Sequence, residues 1–178
     1  MPTGYLAVVT EIARQLGALD LEPVLVGGMA LVLLGSRRVT RDFDFVITQP
    51  GERLAGALDV FYDRGLELAA KLNEAGEVTA TIGNRRIAAA RLRLDKPQSA
   101  FFYDSETGLR IDVLFDFPIP AVELAGRSLP AKTPAGVLRV ASEPDLLKLK
   151  QIARSNRSLS TDAEDIAFLE SRRKLPRD

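Results

Sequence analysis

Two glycines and three aspartates carry most of the chemistry available to this chain. Val24-Leu25-Val26 runs into Gly27-Gly28-Met29-Ala30, and further on comes Arg38-Val39-Thr40-Arg41-Asp42-Phe43-Asp44-Phe45. Side chains alternate across a strand, so Asp42 and Asp44 share one face about 7 Å apart, with Phe43 and Phe45 turned to the other. Two carboxylates so placed repel each other unless a cation, a basic side chain or water lies between them. Mg2+ suits the position, because it prefers oxygen ligands and is usually held by one or two carboxylates together with substrate phosphates. Glycines without side chains, at the start of a short helix, let a phosphate approach the backbone. The set fits a metal-bound polyphosphate.

A third acid follows from the same alternation. In Leu109-Arg110-Ile111-Asp112-Val113-Leu114-Phe115-Asp116, the residues Leu109, Ile111, Val113 and Phe115 form an apolar face and Asp112 lies on the other. A lone acid in an otherwise hydrophobic strand costs several kcal/mol unless it is compensated. A position beside the Asp42/Asp44 strand would bring three carboxylates together, while Asp116, at the strand end, reads as a solvated or capping acid. Each feature alone has a plainer reading. Gly27-Gly28 is a turn, Asp42 and Asp44 mark an exposed strand edge, and Asp112 pairs with Arg110 or Arg38. Their ordered combination favours the metal site.

The elements that must position these residues are legible in outline. Leu6, Val9, Ile12, Ala13 and Leu16 recur at helical spacing over residues 5–17, with Gly17 as a stop. Residues 23–26 and 43–48 read as buried strands, and Ala30–Leu34 as a short helix. A helical pattern from Glu52 to about Ala75 is expected to break at Gly65. Residues 78–82 and 87–94 read as strands flanking a Gly83-Asn84-Arg85 hairpin turn. Residues 100–103 and 109–115 follow as strands, then a helical turn at 122–125 and a short strand at 138–140. Ser142-Glu143-Pro144-Asp145 and Thr161-Asp162-Ala163-Glu164 are capped starts of two C-terminal helices. The tail Arg172-Arg173-Lys174 reads as frayed and solvated.

Composition sets the limits. The 178 residues are 46% hydrophobic and 27% charged, enough for one core with a helical appendage. Lys+Arg and Asp+Glu are 24 each, so no global field draws the chain to nucleic acid or anionic lipid. Any nucleic acid must be held locally. The absence of Cys and His removes disulfides, thiolate or imidazole metal sites and histidine bases. Catalysis is left to carboxylates, Lys/Arg, hydroxyls, backbone dipoles and a hard metal. No apolar run approaches the ~20 residues of a membrane span, and no export signal is read, so a cytoplasmic location is expected.

The ordered motif resembles the nucleotidyltransferase superfamily of DNA polymerase β-like fold. Within it, the chain is most similar to AbiEii-type toxin nucleotidyltransferases of toxin–antitoxin and abortive-infection systems. Gly27-Gly28, the Asp42/Asp44 pair and Asp112 match the superfamily pattern, and Arg38 and Thr40 match the Arg-x-Thr before the acids. Lys150, after Pro144-Asp145-Leu146, and Asp165, in Asp165-Ile166, match positions on the two C-terminal helices. Met29 departs from the pattern, since many relatives have a serine there whose hydroxyl meets a phosphate.

The resemblance implies an α+β fold, with a polymerase β-like core of mixed sheet and flanking helices at residues 1–140 and C-terminal helices at 141–178 packed on it. It also implies NMP transfer from an NTP to an acceptor hydroxyl. Asp42, Asp44 and Asp112 would bind Mg2+, as two ions, or Mn2+, with Asp112 nearest the acceptor and serving as base. Gly27, Gly28 and the Met29 backbone would face the triphosphate. Lys150 would neutralise a phosphate or stand solvated, and Arg38 would contact phosphate or pair with the acids. Thr40 starts the strand or touches nucleotide, and Asp165 orients Lys150 or faces solvent. The acceptor is tRNA or another RNA, a protein, or a small molecule of the antibiotic type. Arg85, Arg86, Arg91 and Arg93, with Arg37, Arg38 and Arg41, form a candidate RNA patch, with Arg91 and Arg93 on one strand face. A cognate antitoxin is the expected protein partner. The competing reading is a non-catalytic nucleotide-binding or antitoxin protein of the same fold.

Overall fold

The structure is a computed structural model describing residues 3–156 and 160–174. Helix α1 (Thr3–Ala18) leads into strand β1 (Val24–Val26), helix α2 (Gly27–Leu33) and strand β2 (Phe43–Ile47). Helix α3 (Leu54–Tyr62), strands β3 (Glu67–Leu72) and β4 (Val78–Ile82), and helix α4 (Arg85–Asp95) follow. Then come β5 (Ser99–Tyr103), β6 (Arg110–Phe115), α5 (Ala121–Arg127), β7 (Leu129–Thr133), β8 (Gly136–Val140), α6 (Glu143–Asn156) and α7 (Ser160–Arg173). The strands form one mixed sheet in the order β4-β3-β5-β6-β2-β1-β8-β7.

The acidic strands meet at the centre of this sheet. β2 and β6 run parallel with Asp44 opposite Asp112 and Phe45 opposite Val113. Alternation then fixes both faces. Phe43, Phe45, Ile47, Ile111, Val113 and Phe115 are buried on one face, which α1 and α3 help to cover. On that side Phe61 of α3 stacks on Phe102 of β5, with ring centroids 4.0 Å apart. Asp44, Val46, Asp112 and Leu114 turn to the other face.

Four expectations need correction. Residues 67–72 are strand β3, not a second helical segment. Glu-Leu-Ala-Ala-Lys-Leu has helical propensity, but pairing with β4 and β5 overrides it. Residues 87–94 lie in helix α4, not a strand. The Asn84 side chain accepts from the N–H groups of Arg86 (2.9 Å) and Ile87 (3.2 Å), so Gly83-Asn84-Arg85 is a helix start rather than a hairpin turn. Ala88, Ala89 and Leu92 are its buried stripe, a helical rather than an alternating spacing. The strand does end at the glycines, but the short helix starts at Gly27 rather than Ala30, so the glycines form its first turn. Strand β7 is unmarked in the sequence, since Pro130 argues against a strand except at a sheet edge, where β7 lies.

Of the tail expected to be solvated, Arg172 is docked, whereas Arg173 and Lys174 are exposed. Arg172, in the last turn of α7, donates to Glu143 Oε1 (2.8 Å) and to the Leu34 carbonyl (3.0 Å). At the start of α6, the Asp145 N–H donates to Ser142 Oγ (3.3 Å) and Arg127 forks onto the Asp145 carboxylate at 2.9 and 3.1 Å. The side chain of Thr161 lies outside the described residues.

Candidate active site

A cavity of about 580 Å3 opens over the β2–β6 seam, and Gly27, Gly28, Arg38, Thr40, Asp42, Asp44, Asp112 and Lys150 all line it. Residues distant in the chain thus converge on one site. Asp42 sits exposed just before β2, while Asp44 and Asp112 are half-buried side by side.

Gly27 is a steric necessity for this arrangement. Its φ of +72° is a conformation L side chains rarely adopt, and an added Cβ would collide with the Asp44 carboxylate, lying 2.9 Å from its Cγ. At Gly28 the added atom would lie 2.9 Å from Cζ and 3.0 Å from Nη1 of Arg38, so the guanidinium rests on bare backbone. The glycines therefore make room for an acid and a base of the site itself. Met29 is buried in the core, so its side chain offers nothing to a ligand.

Arg38 pairs with Asp165 rather than with the aspartates of the sheet. Asp165 also receives Lys150 Nζ at 2.9 Å, and Asp162 lies 3.4 Å from the same ammonium. Lys150, Asp162 and Asp165 are all buried. This network ties the α2–β2 loop to α6 and α7 across the rim of the cavity. Asp165 thus contacts both Lys150 and Arg38 and does not face solvent, whereas Lys148 does.

Electrostatics single out Asp44. Burial, followed by the charges of Asp112 and Asp42, pushes its carboxyl from 3.8 up to about 7, with Lys150 opposing. The two carboxyls stand side by side across the β2–β6 seam, each adding to the cost of charging the other. Burial raises Asp112 too, against the hydrogen bonds from Arg110. Such an under-compensated anionic pair suits a hard cation, so the donor set fits Mg2+. Among the described residues, however, no three acids form a preassembled metal cluster. An ion held by the Asp44/Asp112 pair and completed by substrate oxygens is what these residues can hold.

Arg110, which the sequence offers only as a partner for Asp112, is also a wall of the cavity. Its Nε donates to Asp112 Oδ1 at 2.8 Å and its Nη2 to Oδ2 at 3.4 Å. Nη1 donates to the Gly76 carbonyl in the β3–β4 turn at 2.9 Å, and the guanidinium lies 4.3 Å from the Phe101 ring centroid. The signal was present, since alternation puts Arg110 on the face of Asp112. Asp162, which the sequence offers only as part of a capping box, is buried beside the Lys150 ammonium. Asp116 is a capping acid, accepting from the N–H groups of Gln49 and Ala121 at 2.8 Å each.

The RNA patch does not hold together as a strand face. Arg91 and Arg93 are two residues apart on a helix, about 200° around it. Arg85 is bound to Asp59 (2.8 Å) and Asp63 (2.9 Å), and Arg91 to Asp95 (2.8 Å).

The sequence profile of the nucleotidyl transferase AbiEii toxin family, described as a type IV toxin–antitoxin system, matches residues 11–178. The chain belongs to that family. No curated protein matches an AbiEii chain of this sequence significantly. Among solved structures, this AbiEii protein is similar to the antibiotic-resistance factor ANT(2″)-Ia, with TM-score 0.60, 13% identity, and 97% of this chain and 85% of that one covered. It is likewise similar to the lincosamide antibiotic adenylyltransferase LnuA in its lincomycin-bound form, with TM-score 0.54, 14% identity, and 92% and 95% covered. An antigenic nucleotidyltransferase-like protein from Paracoccidioides brasiliensis gives TM-score 0.57 and 17% identity, with 92% and 73% covered. At these identities the likeness concerns the fold, which is that of polymerase β-like nucleotidyltransferases. Among the described residues no helix is long and apolar enough to cross a membrane.

Proposed function

We propose that this AbiEii-family protein is a metal-dependent nucleotidyltransferase, moving an NMP from an NTP to an acceptor hydroxyl with release of pyrophosphate. The observation that carries the reading is the alignment of Asp44 with Asp112 across parallel β2 and β6, beside a Gly27 that only glycine can occupy. In this reading residues 1–140 are the nucleotidyltransferase core, and 141–178 a helical segment that closes the cavity through Lys150.

Each residue then has a role. Asp44, with Asp42 and Asp112, holds Mg2+ or Mn2+, which when bound supplies charge neutralisation at the reacting phosphate. Gly27 and Gly28 leave backbone open to the triphosphate, and the Met29 N–H continues that stretch. Lys150 and Arg38, held by Asp165, place positive charge where pyrophosphate departs. Thr40 lines the approach. Asp112, once released by Arg110, accepts the proton of the attacking hydroxyl. The protein acts as the toxin of a toxin–antitoxin pair, with a cognate antitoxin as its partner and tRNA as one candidate acceptor.

A small-molecule acceptor is the second reading, and one observation favours it. The chain covers 95% of the lincomycin-bound adenylyltransferase, so short length does not argue against such an acceptor. Incubation with each α-labelled NTP and Mg2+, in parallel with total tRNA and with a hydroxyl-bearing antibiotic such as a lincosamide or aminoglycoside, separates the readings, with Asp44→Ala as control. Label on RNA that vanishes in Asp44→Ala supports the RNA reading. Label on a small molecule supports the second, and no label on any acceptor supports a non-catalytic protein.

A further inference from the structure

The direction from which the acceptor approaches can be read from the order of strands, granted the proposed transfer reaction. An in-line displacement puts the attacking oxygen opposite the leaving pyrophosphate. Gly27 and Gly28 follow β1, Arg38 rests against Gly28, and Lys150 joins Arg38 through Asp165, so these groups gather on the β1 side of Asp44. The attack must therefore come from the other side, across β6 and β5. There the register is explicit, with Asp112 opposite Phe101 and Arg110 opposite Tyr103. Directly opposed residues share a face, so the two aromatic side chains stand beside the acid and its arginine. Their strand neighbours Ala100 and Phe102 are buried in the core, whereas Phe101 and Tyr103 are half-buried.

Beyond Phe101 the sheet opens. β3 pairs with β5 only at Glu67–Tyr103 and Leu68–Phe102. The β3–β4 hairpin then leaves β5, and its turn reaches Arg110 through the Gly76 carbonyl. The gap is a second cleft of about 280 Å3, lined by Phe101, Lys71 and Ser99 among others. Phe101 belongs to this cleft, and the Arg110 stacked on it lines the acidic cavity, so the two spaces adjoin at that pair.

We propose that Phe101, Tyr103 and Arg110 form the acceptor platform, and that its ligand is the single-stranded end of a nucleic acid. Bases stack on aromatic rings and on guanidinium planes, which seats a terminal nucleoside with its hydroxyl towards Asp112. Lys71 in the adjoining cleft provides a cation for the phosphate that follows. Phe101 and Arg110 lie directly beside the acids, Phe101 opposite Asp112 in the sheet and Arg110 bonded to its carboxylate. This basic and aromatic set replaces the arginines of α4, of which Arg85 and Arg91 are held by acidic partners.

The test uses the full chain and a short mixed-sequence single-stranded RNA with a free 3′ hydroxyl and a 5′ fluorophore, with binding read by anisotropy. Phe101→Leu keeps apolar bulk but removes the ring, and Tyr103→Leu does the same. Each is expected to weaken binding about tenfold, in the range for loss of one stacked base, while Phe101→Trp restores it. Calorimetric titration of each NTP with Mg2+ into the same proteins reports the nucleotide half and the fold independently. Wild-type protein that binds NTP but not the RNA overturns the platform and leaves the transferase reading intact. Ring-dependent RNA binding without any NTP binding supports the platform and removes the transferase reading. RNA binding equally strong in both leucine variants also overturns the platform.

Discussion

Removing a carboxylate from this site should stabilise the protein, and the pH dependence of that gain follows from Asp44. Its folded-state value is raised from 3.8 to about 7, mainly by burial and then by Asp112 and Asp42. The native state therefore retains a proton that the unfolded chain releases. Unfolded protein binds fewer protons between about pH 4 and pH 7, so stability is full below pH 4 and falls as pH rises through 7. At about 1.4 kcal/mol for each tenfold in proton affinity, the shift corresponds to roughly 4 kcal/mol lost by pH 8. Asp44→Asn has no charge to bury. We expect it to be more stable than wild type by up to roughly 4 kcal/mol at pH 8 and equal to it near pH 4. Urea unfolding at both pH values measures the difference. Mg2+ added to wild type should recover part of the loss at pH 8 and little at pH 5, where protons occupy the pair. An Asp44→Asn protein no more stable than wild type at pH 8 would refute the picture of a strained, under-compensated acid pair.

Two further perturbations probe the supports of the site. Gly27→Ala forces alanine into a left-handed conformation, costing about 1–2 kcal/mol, and displaces the Asp44 carboxylate. Urea unfolding should show that loss and calorimetry a lost NTP affinity, whereas Gly28→Ala meets side-chain atoms of Arg38 alone among its nearest neighbours, so it should displace that guanidinium and leave the fold intact. Asp165→Ala strands Arg38 and the buried Lys150. With Asp162 still 3.4 Å from the ammonium, the loss should fall near the low end of about 3–5 kcal/mol for a broken buried pair. A loss below about 1 kcal/mol would show that the network is solvated, as surface ion pairs are.

The acidic centre was legible because strand alternation is a strict rule. Leu109 to Phe115 could place Asp112 opposite its apolar neighbours from spacing alone, and the structure then put it beside Asp44. The C-terminal helices were legible through their Ser142 and Asp145 start and their apolar stripe. What failed were segments whose local preference conflicts with their neighbours. Glu67–Leu72 has helix-forming residues and becomes a strand because β4 and β5 flank it. Residues 87–94 mix apolar and basic residues in near alternation, yet Asn84 caps them into a helix. That error displaced the arginines of the RNA patch. The role of Gly27 was half-read as an opening for phosphate, since no sequence pattern reveals that Asp44 would occupy the space of a Cβ. Arg110 was visible on the right face, but its reach to Gly76 depends on a hairpin that the sequence did not define.

The central claim is transfer of a nucleotidyl group at the Asp44–Asp112 pair, and parallel reactions with α-labelled and γ-labelled NTP test it most directly. In the presence of Mg2+ and acceptor, the α-label should become covalently attached to the acceptor while the γ-label leaves as pyrophosphate, and both signals should vanish in Asp44→Ala. A γ-label attached to the acceptor, or α-label transfer that survives Asp44→Ala, would contradict it.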